Sequence, residues 1–179
     1  STTIDKYMFI AIHPYFYKEK TFIKYSKTEL IEDIKNIEHP IIREVLNQYN
    51  VSGIDLNSIA DIPAGTGLGS SSSFTVGLLQ AVNAYLGRYA SKEFLASEAS
   101  DIEINRLGEP IGKQDQYAAA YGGINLITFY ETEDVSVEKI SMKTDKYKEL
   151  EENLLLFYTN DTRSASKILT EQKKNVGMG

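Results

Sequence analysis

The chain has 179 residues, room for one core or one and a half modest domains, and its 42% hydrophobic and 25% charged residues are ordinary for a globular protein. A net charge of −6 without any Lys/Arg cluster argues against a nucleic-acid partner, and the absence of cysteine excludes disulfides, thiolate metal sites and a Cys nucleophile. No apolar run is long enough to cross a bilayer and no signal peptide opens the chain, so a cytoplasmic location with no membrane partner is expected.

In chain order, Thr3 to Ile12 reads as a strand, and a chain that opens inside an apolar strand reads as truncated. A second strand is expected at Thr21 to Tyr25. Ser26 or Thr28 can cap a helix carrying Leu30, Ile31, Ile34 and Ile37, and Pro40 suits the first turn of another, with Ile41, Ile42, Val45, Leu46 and Tyr49 on one face. Ile54 to Ile59 alternates like a strand. After a Gly/Ser loop comes an amphipathic helix with Phe74, Leu78, Val82 and Tyr85, stopped at Gly87. Ser91 caps a helix through Leu95, Ala99, Ile102 and Arg106, which ends before Gly108. A short Ala-rich helix spans Gln114 to Tyr121, strands are expected at Ile124 to Tyr130 and Leu154 to Thr159, and Ser164 to Lys174 looks helical. Clustered rather than alternating strands and helices favour an α+β layered domain.

Two segments carry chemistry. The first is Asp61-Ile62-Pro63-Ala64-Gly65-Thr66-Gly67-Leu68-Gly69-Ser70-Ser71-Ser72-Ser73. Its three glycines accept positive φ and close backbone approach, and the helix that follows offers unpaired N–H groups and the positive end of its dipole. The serines add hydroxyl donors or a magnesium ligand. Such a loop suits a polyphosphate. It lacks the Gly-Lys-Ser/Thr of a Walker A loop and the glycine spacing of a dinucleotide fingerprint.

The second segment is Glu103-Ile104-Asn105-Arg106-Leu107-Gly108, continued by Gly112-Lys113-Gln114-Asp115-Gln116-Tyr117. Asp115 begins a helix, whose terminus favours the ionised carboxylate, and an ionised Asp can accept a proton from a hydroxyl or orient it beside Lys113. Glu103 is a hard oxygen donor suited to magnesium on phosphates. Taken alone, each carboxylate reads as a solvated surface group or helix cap sooner than as a catalytic one, and spacing by itself does not decide.

The run Pro63-x-x-x-Gly67-Leu68-Gly69-Ser70-Ser71-Ser72 resembles the ATP-binding motif of the GHMP kinases, and Glu103…Gly108…Gly112-x-x-Asp115-Gln116 resembles the segment by which that family supplies a magnesium-binding Glu and a catalytic Asp. Further likeness at Thr3 to Tyr7, at Gly112 to Ala120 and at Leu154 to Thr159 with Arg163 points to the D-glycero-D-manno-heptose 7-phosphate kinase branch. The resemblance implies the two-layer α+β N-terminal domain of GHMP kinases over residues 1–150, its first strand missing. Residues 151–179 would begin a second α+β domain.

It implies ATP and Mg2+, with Pro63, Gly65, Gly67, Leu68, Gly69, Ser70, Ser71 and Ser72 at the nucleotide and Ser71 with Glu103 at the metal. Asp115 would be the catalytic carboxylate. Beside it, Lys113 could touch substrate phosphate or Asp115, or be a solvated Lys; Arg163 could reach a sugar phosphate or cap the following helix; and Asp5 and Lys6 could reach the sugar or stabilise a strand edge. A homodimer is left open. Other acceptors of the family (galactose, fucose, mevalonate) and a non-catalytic sugar and ATP sensor stand as alternatives.

Overall fold

In the computed structural model, which describes residues 1–63 and 65–157, alternation along β1 (Met8–Pro14) turns Met8, Ile10 and Ile12 to the core and leaves Phe9 and Ala11 outside. β1 pairs antiparallel with β4 (Ile54–Ala60), in register Ile10↔Ser58 and Ile12↔Leu56. β4 runs parallel to β2 (Thr21–Lys24), which pairs antiparallel with β3 (Thr28–Ile31), so the sheet order is β1-β4-β2-β3. β5 (Asn125–Phe129) and β6 (Val135–Lys139) form a separate ribbon.

The helices α1 (Pro40–Tyr49), α2 (Ser70–Tyr85), α3 (Lys92–Ser100) and α4 (Gln114–Tyr121) build the second layer. α2 is central: it lies on β1 and touches α1, α3 and α4. It packs closely on the sheet at Gly77, where a β-carbon would already be in contact with Ile10 Cγ1 at 3.4 Å. Phe74, Leu78, Leu79 and Val82 of α2 join Ile23, Ile42, Val45, Leu46, Ile54 and Leu56 in one buried cluster. Among the described residues no helix is long and apolar enough to cross a membrane.

The expected two-layer α+β architecture is present, with local corrections. The first strand begins at Met8 rather than Thr3, because Tyr7 is held by Asp61: the backbone N–H of Tyr7 donates to Asp61 Oδ2 at 2.9 Å and its carbonyl accepts from Asp61 N at 3.0 Å. The helix expected through Leu30, Ile31, Ile34 and Ile37 is instead β3 followed by one 3₁₀ turn (Ile34–Asn36). Backbone pairing with β2 outweighs the helical spacing, and the four residues share no face: Ile37 is buried while Leu30 is exposed. Ile59, expected on the apolar side of β4, is 66% exposed on the outer side.

The helix capped by Ser91, whose Oγ accepts from Phe94 N at 3.1 Å, stops being α-helical after Ser100 and continues as a π-helical segment, Asp101–Arg106. β6 and α5 (Thr144–Glu152) have no counterpart in the sequence reading, and α5 buries none of its residues. Leu154 to Phe157, read as the start of a strand, are exposed and belong to no strand; the rest of that strand, Arg163 and the helix at 164–174 lie outside the described residues.

Candidate active site

The loop ahead of α2 folds as its glycines allow: Gly65, Gly67 and Gly69 have φ of 81°, 75° and 68°. Gly69 is the N-cap residue of α2, and no side chain caps that helix end. It requires glycine because the left-handed backbone disfavours any L side chain, and a β-carbon there would sit in ordinary contact with Asp115, 3.5 Å from its Oδ2. α4 therefore delivers the Asp115 carboxylate against the amino end of α2, 46 residues away in sequence (115 − 69 = 46).

Two cavities border this helix start. One, of about 540 Å³, is lined by Pro63, Gly65, Ser70 and Ser71 at the loop and by apolar groups such as Met8, Ile41, Ile62 and Phe74 beyond it. The other, of about 280 Å³, has Gly67, Leu68, Gly69 and Asp115 on one wall and Thr2, Thr3 and Lys6 on another. Leu68, Ser70 and Lys6 also border a smaller recess beside Tyr7 and Met8.

Behind the loop lies a buried polar cluster. Glu103, on the π-helical segment, is 1% exposed, and its Oε2 accepts from Ser71 Oγ at 3.1 Å. Gln116 is fully buried. With its amide nitrogen facing the carbonyls of Gly112 (3.2 Å) and Lys113 (3.1 Å), its oxygen accepts from Ser72 Oγ at 3.1 Å. Burial pushes the Glu103 carboxyl above its usual range, opposed by the hydrogen bonding of Thr75, Ser71, Gln116 and Ser72.

No Lys, Arg or His pairs with Glu103 among the described residues. A buried carboxylate without a cation, one hydrogen bond from a hydroxyl that borders the larger cavity, is a donor set that fits a hard divalent ion carried in on phosphates. Three-residue clusters of His, Cys, Asp or Glu are absent among the described residues, so such an ion would owe most of its ligands to nucleotide and water.

The π-helical segment is pinned to α1. Arg106 donates through Nε to Asp101 Oδ2 (2.7 Å), through one terminal nitrogen to Gln48 (2.7 Å) and through the other to Glu98 (3.0 Å). Gln48 closes the ring by donating to Glu98 at 2.6 Å. An Arg106→Ala variant is expected to lose about 1 kcal/mol of stability, a modest value because these groups are partly solvated. It should also lower turnover through a loosened Glu103; urea denaturation and steady-state kinetics on one preparation check both.

The remaining sequence candidates are placed unequally. Lys113 does not line either cavity and pairs with Glu133 at the β5–β6 turn. Ser72 is buried on Gln116 rather than open to a cavity. Asp5 faces the Tyr7 phenol, whose pKa it raises by hydrogen bonding and charge, and it lines neither large cavity. Sequence reasoning gave no role to Thr75 or Gln116; a polar residue on the buried face of an Ala-rich helix is the signal that marks Gln116.

The chain resembles known proteins over most of its length. The family described as GHMP kinases N terminal domain matches residues 25–123. A D-glycero-alpha-D-manno-heptose 7-phosphate kinase of Campylobacter jejuni is 32% identical over 161 residues, 90% of this chain and 46% of that protein. A galactokinase of Pyrococcus furiosus is 29% identical over 177 residues, 96% of this chain and 48% of the relative. Among solved structures, a D-glycero-D-manno-heptose 1-phosphate kinase from Bacteroides thetaiotaomicron superposes with a TM-score of 0.76 at 28% identity, covering 84% of this chain and 53% of that one. The chain thus spans about half the length of the relatives it matches.

Proposed function

The chain belongs to the GHMP kinase family through its N-terminal domain, and from that premise we propose that it is the nucleotide-binding part of an ATP-dependent sugar kinase acting on the anomeric hydroxyl of a heptose 7-phosphate. In this reading residues 1–150 form the first domain and 151–179 begin the second. The product would feed synthesis of nucleotide-activated heptose for surface polysaccharide.

The observation that supports the proposal is that two cavities border one helix amino end and a carboxylate lines the smaller of them. The larger, mostly apolar cavity suits a nucleotide whose phosphates reach Gly65, Ser70 and Ser71. The smaller, with Thr2, Thr3, Lys6 and Asp115, suits a hydroxylated and anionic acceptor. Backbone N–H groups and the helix dipole at Ser70 to Ser72 stabilise charge on the transferred group without reorganisation.

Asp115 orients the acceptor hydroxyl toward the γ-phosphorus and takes its proton as the new P–O bond forms and the bond to ADP breaks. Glu103 and Ser71 would hold Mg2+, which when bound supplies charge neutralisation between the β- and γ-phosphates. Holding both substrates across one loop removes much of the entropic cost of a bimolecular reaction.

Lys6 favours a phosphorylated acceptor over a neutral hexose. The test is an acceptor panel on the full chain with MgATP: heptose 7-phosphate against galactose, fucose and mevalonate. ADP release with the heptose phosphate at least about tenfold faster in kcat/KM than with the others is the expected result. A preference for galactose would move the assignment to that acceptor, and binding without any ATP consumption would make the protein a sensor.

A further inference from the structure

Asp115 is exposed, and among the described residues its carboxylate makes no hydrogen bond and no ion pair. Its direction is therefore that of the backbone it grows from, the first turn of α4. That turn has no side-chain cap at its N-cap residue, Lys113. Something else must fix it.

The neighbouring residue supplies the restraint. Gln116 is fully buried, lines neither large cavity, and places its amide among three partners. Its nitrogen donates to the carbonyls of Gly112 at 3.2 Å and Lys113 at 3.1 Å, the residues that lead into α4. Its oxygen accepts from Ser72 Oγ at 3.1 Å, in the first turn of α2. One side chain thus ties the start of one helix to the start of the other, and both of its polar atoms are matched. Packing alone does not call for it, because an apolar side chain of the same length fills such a space without desolvating an amide.

The tie runs between the two carboxylates of the site. Gln116 follows Asp115 in the chain, and Ser72 follows Ser71, whose hydroxyl donates to Glu103 Oε2 at 3.1 Å. The hydrogen bond from Ser72 to Gln116 is the joint between the α2 half of this path and the α4 half.

We propose that Gln116 is a positioning residue for phosphoryl transfer: by clamping the first turn of α4 to the first turn of α2, it fixes where the Asp115 carboxylate stands relative to phosphates held at Ser70 and Ser71. This rests on the kinase reading above and adds a residue that touches neither substrate. A misplacement of about 1 Å in a reacting group costs on the order of a hundredfold in rate, so loss of the clamp shows in turnover while nucleotide affinity stays.

The experiment uses the full chain with MgATP and heptose 7-phosphate, or whichever acceptor of the panel above it turns over faster. Gln116→Met keeps the length of the side chain and removes both polar atoms. It is expected to lower kcat about thirtyfold, with KM for ATP and the dissociation constant for ADP within about threefold of the parent. In an Asp115→Asn background the same substitution should change kcat no further, because a residue that acts through Asp115 has nothing left to position. A merely structural role gives other readings: a lower melting temperature with kcat per folded molecule kept, or the full loss repeated in the Asp115→Asn background. Either overturns the proposal. Should Gln116→Met fail to fold, Ser72→Ala, which cuts only the α2 half of the clamp, takes its place. It is expected to lower kcat about tenfold in the parent and not at all in Asp115→Asn, and the same two contrary readings overturn the proposal. An unsubstituted protein that transfers no phosphoryl group to any acceptor of the panel sinks the kinase reading and this proposal with it, a result recognised before any variant is compared.

Discussion

Replacing Asp115 by Asn in the full-length protein is expected to cut turnover by about 10³-fold while leaving the dissociation constant for ADP within about threefold of its parent value. The carboxylate lies beside Gly69, 3.5 Å from where a β-carbon would stand, and Asn fills the same space, so neither the left-handed turn nor α4 has cause to move. What disappears is the group that can take the acceptor's proton. Asp115 is exposed in the first turn of α4, open to an incoming acceptor. Stopped-flow transfer rates paired with calorimetric ADP binding make the comparison; a variant at near-normal rate removes Asp115 from the chemistry.

Glu103→Gln separates stability from activity. Turnover with MgATP is expected to fall by at least about a hundredfold, since even indirect partners of a metal ligand cost ten- to a hundredfold. The apo protein should nevertheless become more stable at neutral pH. Glu103 has a raised pKa in the folded state, so the native protein binds a proton there more tightly than the unfolded chain does. The burial penalty on the charged form is fully present above the folded pKa and is relieved as pH falls toward the ordinary Glu range. The stability advantage of the Gln variant is therefore largest at pH 7 and vanishes in acid, which thermal melts across that range read directly. A variant less stable than its parent at pH 7 would show that Glu103 is a structural anchor and not a carboxylate kept in the core for a ligand.

What could be read from the residues alone was whatever is local. Glycines at 65, 67 and 69 followed by serines and an amphipathic run describe a turn into a helix, and the structure has α2 begin at Ser70. Ser91 caps α3 because capping needs only three residues of context. The hairpin of β2 and β3 was misread because pairing with a neighbouring strand, which no local pattern contains, overrode a helical spacing. The site divides in the same way. Glu103, Ser71 and Asp115 came from a motif; their meeting depends on how α2, the π-helical segment and α4 pack. Gln116 carried only the faint signal of a polar residue on an Ala-rich helix, and its burial depends on how the helices pack.

The widened turn at Asp101–Arg106 sets the direction in which Glu103 leaves its helix. Each residue of an α-helix advances the winding by about 100°, so a turn that holds an extra residue rotates the residues wound after it by that much relative to a regular helix. The reach of Glu103 to Ser71 thus depends on one irregularity in winding, locked by the Arg106 ring. Insertion or deletion of a single residue between Ser100 and Glu103 would leave the composition of the site intact and turn its buried acid away from the loop.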